Sequence, residues 1–574
     1  MKLVKKNGGL NGDGMDHIAL IDFGKTIFSF SVISIASFLR SKGYKTTIHQ
    51  CRPYGHDDYD EEFGGDTGNV FHPNQLEKLA ENVKNATTIG ISLLTTNQTT
   101  LAIQVHEYLR ENVDGVIVWG GVPVICDPKW YLNYTDYVCT GEGEFFLDEF
   151  TQNILNNKPV ENTRNLAYKN EHGEMVKTED IPLLDINKDL PIQTLSMQDH
   201  YALGKDLIPL KDLLVESSNS RGYRIYTMRG CPYKCSFCSI NALTKNLKDY
   251  RYFRILESKA VIKELAIAIE KDPSINHIQF YEDDFMARKP DEINELMDLY
   301  KEKINLPMNL NSTIKFLKEE KIEIIQNHGI EITFVKIGLQ TASARSNKQI
   351  YGRPFKGDEY IDKIAMLVER KIPVIADTIS CNPFEDIDDF VENVNFFISL
   401  SEKLTKLEEA YNYIRFNEHI LTFYPGTALH DRALEEGIID DNYINDNFLI
   451  HNHTTGINRK EKINIHTLLL LNFMISLYYN KMLFLLKMMR GPKMISFINK
   501  MLEFKIIQKI TLRLVRLEAS EWKNYIRRRS THDFNNFEKV PTRRQSLLRW
   551  TLVRMGKNVA LILKKSLSRA NLNH

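Results

Sequence analysis

The segment RGCPYKCSFCSI places Cys231, Cys235 and Cys238 in a C-x3-C-x2-C array. Three thiolates on one short loop can each bind one iron of a cubic iron–sulfur cluster, and Pro232 stiffens the turn between them. Such clusters normally take four cysteines. The next cysteine along the chain is Cys381, so one iron would be left open, as a reaction site rather than an electron relay. Two other readings of the triad are a structural zinc site and three unrelated core cysteines. Zinc spacing usually joins one Cys pair to a second pair, and no second pair is visible. A second constellation is HIQFYEDDF, with Glu282, Asp283 and Asp284 in a row. Carboxylates there can accept hydrogen bonds from an ammonium group; the alternative is a solvated acidic turn or helix N-cap.

These residues need a scaffold, and the hydropathy pattern supplies one. From residue 223 short β-rich runs alternate with amphipathic stretches. Strands are expected at 223–228, 277–281, 305–311, 334–339, 373–379 and 419–424. Helices are expected at Ser258–Lys271, Asp291–Lys303, Glu359–Arg370 and Asp386–Leu400. Six βα units in about 210 residues suggest a partial (β/α)6 barrel, whose chemistry sits at the C-terminal strand ends. The cysteine array follows the first of these strands and the acidic run follows the second.

An earlier alternation covers residues 17–155, with strands expected at 17–22, 45–50, 87–92, 115–120 and 136–139. This pattern implies an α/β fold with a doubly wound parallel sheet, and ligands of such sheets lie beyond the carboxyl strand ends. Those ends carry Ser92–Thr95, Gly120–Gly121 and Gly141–Glu142–Gly143. Residues 156–220 have weak periodicity and several Pro, Asn and Asp, which reads as a connection. The expected division is 1–160, a linker at 161–220, a barrel at 221–440 and a helical region at 441–574.

The barrel segment resembles the radical S-adenosylmethionine (SAM) superfamily, whose signature is this cysteine spacing with an aromatic residue, here Phe237, before the last cysteine. The resemblance implies a 4Fe-4S cluster whose open iron chelates SAM. Electron transfer then cleaves the sulfonium bond and yields a 5′-deoxyadenosyl radical. It also implies that Phe237 packs near the adenine and that Asp283 and Asp284 hold the methionyl amine. IGLQTASARSNKQIYGR is similar to the family's fourth-strand segment, with Gln340 in place of the usual Glu and with Ser343 and Arg353 as polar contacts. SCNPFED retains Pro383 and Glu385 of the fifth-strand loop, and TFYPGTAL brings Pro425 and Gly426 close to the adenine.

The N-terminal alternation resembles the cobalamin-binding domain that precedes many radical SAM enzymes, through TTIGISLLTTNQ, VIVWGGVPVICDP and YVCTGEGEFFLDEF. It implies a cobalamin site built from Ser92, Thr95, Gly120, Gly121, Gly141, Glu142 and Gly143. The first loop, IDFGKTIFSF, lacks the Asp-x-His-x-x-Gly motif, so no histidine is expected to ligate cobalt from below. Together the resemblances imply a cobalamin-dependent radical SAM methyltransferase acting on an unactivated carbon. Two alternatives are a radical SAM enzyme that cyclises, rearranges or oxidises its substrate beside a vestigial cobalamin domain, and a non-catalytic cobalamin-binding or membrane-associated protein. Small-molecule, peptide and lipid substrates all stay open, with a flavodoxin- or ferredoxin-like electron donor.

Length and composition frame this reading. The chain has 574 residues, 43% hydrophobic and 26% charged, ordinary for a multidomain globular protein. Seven cysteines are too few and too odd a number for a secreted disulfide framework, so a cytoplasmic, reduced setting is expected. The net charge of zero hides an asymmetry: residues 455–574 hold 25 Lys and Arg against 6 Asp and Glu, leaving 49 and 68 before them out of 74 each. Such a basic tail fits a helical domain balancing the acidic body, or peripheral contact with an anionic membrane. It lacks the aromatic-rich pattern that stacks bases, which disfavours nucleic acid.

Overall fold

The computed structural model describes residues 16–24, 30–53, 71–203, 206–216, 221–444, 464–478 and 482–502, with 504, 507, 508, 511 and 514. These belong to a compact unit covering residues 1–522. The runs Arg527–Arg529 and Arg543–Arg544, and His451 and His453, lie outside the described residues.

The first sheet starts from five strands where the alternation places them: β1 His17–Asp22, β2 Lys45–Gln50, β3 Ala86–Ser92, β4 Val116–Gly120 and β5 Tyr137–Cys139. All five run parallel in the order β5-β4-β3-β1-β2. β1 is buried along its whole length, as the apolar run HIALID requires of a central parallel strand. Flanking helices, among them Phe30–Ser41, Thr99–Asn112 and Gly143–Leu155, cover both faces.

The segment read as a linker does more than connect. It contributes β6 Leu166–Lys169 and β7 Met175–Lys177 to one edge, and β8 His200–Leu203 and β9 Asp206–Pro209 to the other, giving nine strands. β6, β7 and β9 pair antiparallel with their neighbours. Runs of three or four residues carry too little alternation to register as strands, and a sheet edge already in place supplies the missing partner.

The second sheet has six parallel strands in sequential order: β10 Arg221–Ile225, β13 Ile275–Phe280, β14 Met308–Ser312, β15 Ile332–Gln340, β16 Val374–Ser380 and β17 Ile414–Ile420. Sequential order with a helix after each strand is the partial barrel that was expected. A small antiparallel ladder, β11 Met228–Arg229 with β12 Arg254–Ile255, brackets the cysteine loop. Two strands differ from the reading: β10 ends at Ile225, with Met228 in the separate β11–β12 ladder, and β17 starts at Ile414, with Leu421–Tyr424 forming the loop beyond it. Leu421 and Phe423 are apolar because they pack with Ile350, Tyr351 and Leu429.

After the barrel, Ile465–Tyr478 forms a helix of high mean hydropathy. It lies against the helix Ile387–Leu404, with Phe473 on Phe397 at 5.1 Å and the Ser401 and Ser476 hydroxyls 2.7 Å apart. Phe473 also packs on Phe416 of β17 at 5.2 Å, and among the described residues no helix is long and apolar enough to cross a membrane.

Candidate active site

The C-terminal ends of the two sheets face each other across a cavity of about 340 Å3. The first sheet contributes Ser92, Gly120, Gly121, Gly141, Glu142 and Gly143 to its wall. The barrel contributes Tyr226, Arg229, Tyr281 and Asp283. Thr95 is not part of this wall; it caps the short turn Thr96–Gln98.

Gly121 has a φ of 101°, and a Cβ there would fall 2.0 Å from the Leu93 carbonyl oxygen. Only glycine lets the β4 turn close so tightly on the β3 turn. Asp22, where the first loop begins, accepts from the Gly24 amide at 3.0 Å.

The cysteine loop leaves β11 and runs along the barrel mouth. The Ser236 amide donates to the Tyr351 carbonyl at 2.9 Å, its hydroxyl donates to the Ile350 carbonyl at 2.6 Å, and its own carbonyl accepts from Leu429. Phe237 meets Tyr351 edge to face at 5.1 Å. Burial raises all three thiols, Cys238 to about 12. The charge of Asp283 adds to the rise at Cys231 and Cys238, whereas Arg353 opposes it at Cys235. Three such thiols become thiolates when a metal centre displaces their protons. Among the described residues no three His, Cys, Asp or Glu side chains stand close enough for a single metal ion. A cubic cluster spreads its thiolate ligands further apart than one ion does, and three soft sulfur donors on one loop fit it.

The acidic run divides its labour. Glu282 is fully buried and accepts from the Thr227 amide and hydroxyl, and from Arg288 at 2.7 Å. Asp284 is also buried, pushed up to about 6 by burial, and accepts from the Ser312 hydroxyl and from the Thr313 amide and hydroxyl. Thr313 in turn meets the Tyr233 hydroxyl of the cysteine loop at 3.2 Å. Asp283 alone lines the cavity, with the Tyr226 hydroxyl 3.4 Å away. Burial pushes it up to about 7, and the neighbouring carboxylates Asp284 and Glu282 add to this.

The remaining candidates scatter. Gln340 ends β15 in a left-handed conformation, with φ 65°. Arg353 donates to the Gly338 and Leu339 carbonyls. Ser343 is buried and donates to Asp389 at 2.6 Å, in the cap of the helix Ile387–Leu404, away from the cavity wall. Glu385 keeps one buried oxygen without a hydrogen-bond partner, and burial raises its carboxyl. Pro425 is buried, and Gly426 closes on the first sheet's loop, since a Cβ there would lie 2.4 Å from the Cys126 carbonyl oxygen.

Polar residues of the wall that escaped the sequence reading include Ser34, Glu144, Arg229 and Tyr226. Arg229 stands two places before Cys231, the one signal that could have drawn attention to it. Burial works against the charge on Glu142, but Arg229 and Arg254 hold its carboxyl below the usual carboxylate value.

Residues 225–397 match the radical SAM superfamily. The barrel is a radical SAM domain. The chain is 23% identical over 339 residues to an uncharacterised methyltransferase, PH0819, of Pyrococcus horikoshii, covering 58% of this chain and 66%, just under two thirds, of that protein. It is 23% identical over 366 residues to bacteriochlorophyllide d C-8(2)-methyltransferase of Chlorobaculum tepidum, covering 61% and 69%. The structure of the cobalamin-dependent S-adenosylmethionine radical enzyme OxsB with aqua-cobalamin bound superposes with a TM-score of 0.60 over 95% of this chain and 84% of that one, at 14% identity. That likeness extends the shared fold beyond the radical SAM domain to the first sheet.

Proposed function

We propose that this chain is a cobalamin-dependent radical SAM methyltransferase that methylates an unactivated carbon. The observation that carries the reading is the cavity walled on one side by the glycine turns of the first sheet and on the other by Asp283 and the cysteine-loop side of the barrel. Two relatives named as methyltransferases and a cobalamin-dependent enzyme of the same fold support it.

Cys231, Cys235 and Cys238 would hold the 4Fe-4S cluster, which supplies the electron that cleaves the sulfonium bond of SAM. Asp283 accepts hydrogen bonds from the methionyl ammonium, and Glu282 and Asp284 fix the loop that carries it. Gln340 and Glu385 offer further acceptors near the strand ends, and Phe237 offers an aromatic edge to the adenine. Pro425–Gly426, together with the Ser236–Leu429 hydrogen bond, sets the floor beneath the loop. Ser92, Gly120, Gly121, Gly141 and Gly143 would seat a corrinoid, which supplies the methyl group. The substrate enters beside Tyr226 and Tyr281, where Arg224 stacks on the Tyr281 ring at 4.3 Å.

The test is anaerobic purification and reconstitution with iron, sulfide and hydroxocobalamin, followed by reduction in the presence of SAM. Bound corrinoid with formation of 5′-deoxyadenosine is the expected result. A protein that forms 5′-deoxyadenosine but binds no corrinoid would replace this reading with a radical SAM enzyme that does not transfer methyl.

A further inference from the structure

Between the two sheets lies a half-buried quartet of charges that the catalytic reading leaves unused. One Glu142 oxygen accepts from Arg229 at 3.0 Å and from Arg254 at 2.8 Å; the other accepts from Arg254 at 3.0 Å and from the Leu184 amide at 3.2 Å. Glu144 accepts from Arg229 at 2.6 Å and from the Ser34 hydroxyl at 2.7 Å. The side chains of Glu142, Glu144, Arg229 and Arg254 are 12%, 3%, 16% and 17% exposed. Glu142 was expected to face cobalamin, yet both its oxygens are committed to the barrel.

Two carboxylates and two guanidiniums cancel in charge. Apolar side chains would hold two domains together at least as well as buried ions, because desolvating ions is costly. What a bidentate guanidinium–carboxylate pair adds is direction and distance.

The ends of the quartet are stiff. Glu142 is the residue before the helix Gly143–Leu155, at the turn that ends β5. Arg229 and Arg254 face each other across the β11–β12 ladder. Gly230 follows with a φ of 99°, where a Cβ would stand 2.1 Å from the Tyr252 carbonyl oxygen, and Cys231 comes next. The Cys231 amide itself donates to Tyr250 at 3.3 Å. No slack separates Arg229 from the first cluster ligand.

The far end of the cysteine loop is gripped in the same way by the turn after β4. The Asn246 amide group donates to the Ile125 carbonyl at 2.6 Å, and the Cys126 thiol donates to the Ser239 carbonyl at 3.5 Å. The first sheet therefore holds the cysteine loop at its start through Glu142 and at its finish through residues 125–126.

We infer that Glu142, with Arg229 and Arg254, is a positioning strut that fixes the cysteine loop relative to the glycine turns, so that a group bound by the turns is felt at the cluster. Its corrinoid arm rests on the function proposed above; its first arm does not.

The experiment is hydrogen–deuterium exchange on the full chain, reconstituted with iron and sulfide, comparing wild type, Glu142→Gln, Glu142→Asp and Arg254→Lys. The reduced cluster's EPR spectrum and the iron content are recorded in parallel. Without corrinoid, Glu142→Gln should exchange at least tenfold faster across residues 228–238 and shift the EPR signature, while iron content and exchange in β14 and β15 stay as in wild type. Glu142→Asp should restore part of the protection. If Glu142→Gln does not fold, Arg254→Lys, which keeps the charge but loses the paired geometry, should show the same pattern. Unchanged exchange and EPR in whichever of these two variants folds would overturn the strut.

With hydroxocobalamin added, wild type should gain protection at residues 118–122 and also at 228–238. Glu142→Gln should gain it only at 118–122, and equal gains in both proteins would overturn the coupling. A wild type whose residues 118–122 do not respond would refute the corrinoid reading while the first arm still judges the strut.

Discussion

Asp283 and Asp284 are neighbours in sequence with different surroundings, and they separate experimentally. Asp283→Asn removes the one carboxylate of the run that lines the cavity. It should raise the KM for SAM and cut 5′-deoxyadenosine formation at least tenfold, with iron content and melting temperature close to wild type. Asp284→Ala leaves the Ser312 and Thr313 donors without their acceptor. The expected cost is about 1–3 kcal/mol of stability, read as a lower melting temperature before any change in KM. Equal KM effects from both would contradict the division of labour. Nothing in EDD by itself marks which carboxylate faces the cavity, because adjacent residues at a strand end point to different sides and only the partners Ser312, Thr313 and Tyr226 decide it. Glu264 offers a pH test away from the site. It is buried against the Tyr223 hydroxyl, and burial raises its carboxyl from 4.5 to about 8. The folded protein therefore holds this proton where the unfolded chain has released it. Its contribution to stability is present below pH 4.5 and is lost as pH rises toward 8, a loss on the order of a few kcal/mol. Glu264→Gln should flatten the fall of melting temperature between about pH 5 and 8 and melt above wild type at pH 8. A parallel profile for the two proteins would contradict this.

At the level of elements, the strands were legible because a parallel strand buried on both faces reads as an apolar run, as HIALID does, and because FVKIGL alternates buried and half-buried positions. The four edge strands β6 to β9 were not, since each is three or four residues long and exists by pairing with a sheet already formed. The glycine turns were legible as turns; that Glu142 belongs to the barrel was not, because Arg254 lies 112 residues away in the chain. The helix Ile465–Tyr478 was legible as part of the helical region at 441–574, and its partner was not. Phe473 is fully buried between Phe397 and Phe416. Phe473→Ala should therefore cost about 3–5 kcal/mol by denaturant titration. A change under about 1 kcal/mol would mean that this helix does not close the barrel.

At the scale of the described molecule, two sheets present the carboxyl ends of their parallel strands to one cavity, and the loop with three cysteines is held by turns of both. The barrel's fold follows from sequential βα units, and the chemistry proposed for it rests on a cysteine triad on one loop and on Asp283, the one carboxylate of its run that faces the cavity. The basic stretch was expected to balance the acidic body or touch a membrane; its arginine runs at 527–529 and 543–544 fall outside the described residues. The central claim is that three thiolates hold an iron–sulfur cluster that opens SAM reductively. The most direct measurement is 5′-deoxyadenosine formed by the anaerobically reconstituted, reduced protein given SAM, compared with Cys231→Ser, Cys235→Ser and Cys238→Ser. The account predicts 5′-deoxyadenosine from wild type and a loss of at least a hundredfold in each variant. Wild-type protein that carries no iron, or any one serine variant that keeps full turnover, would contradict it.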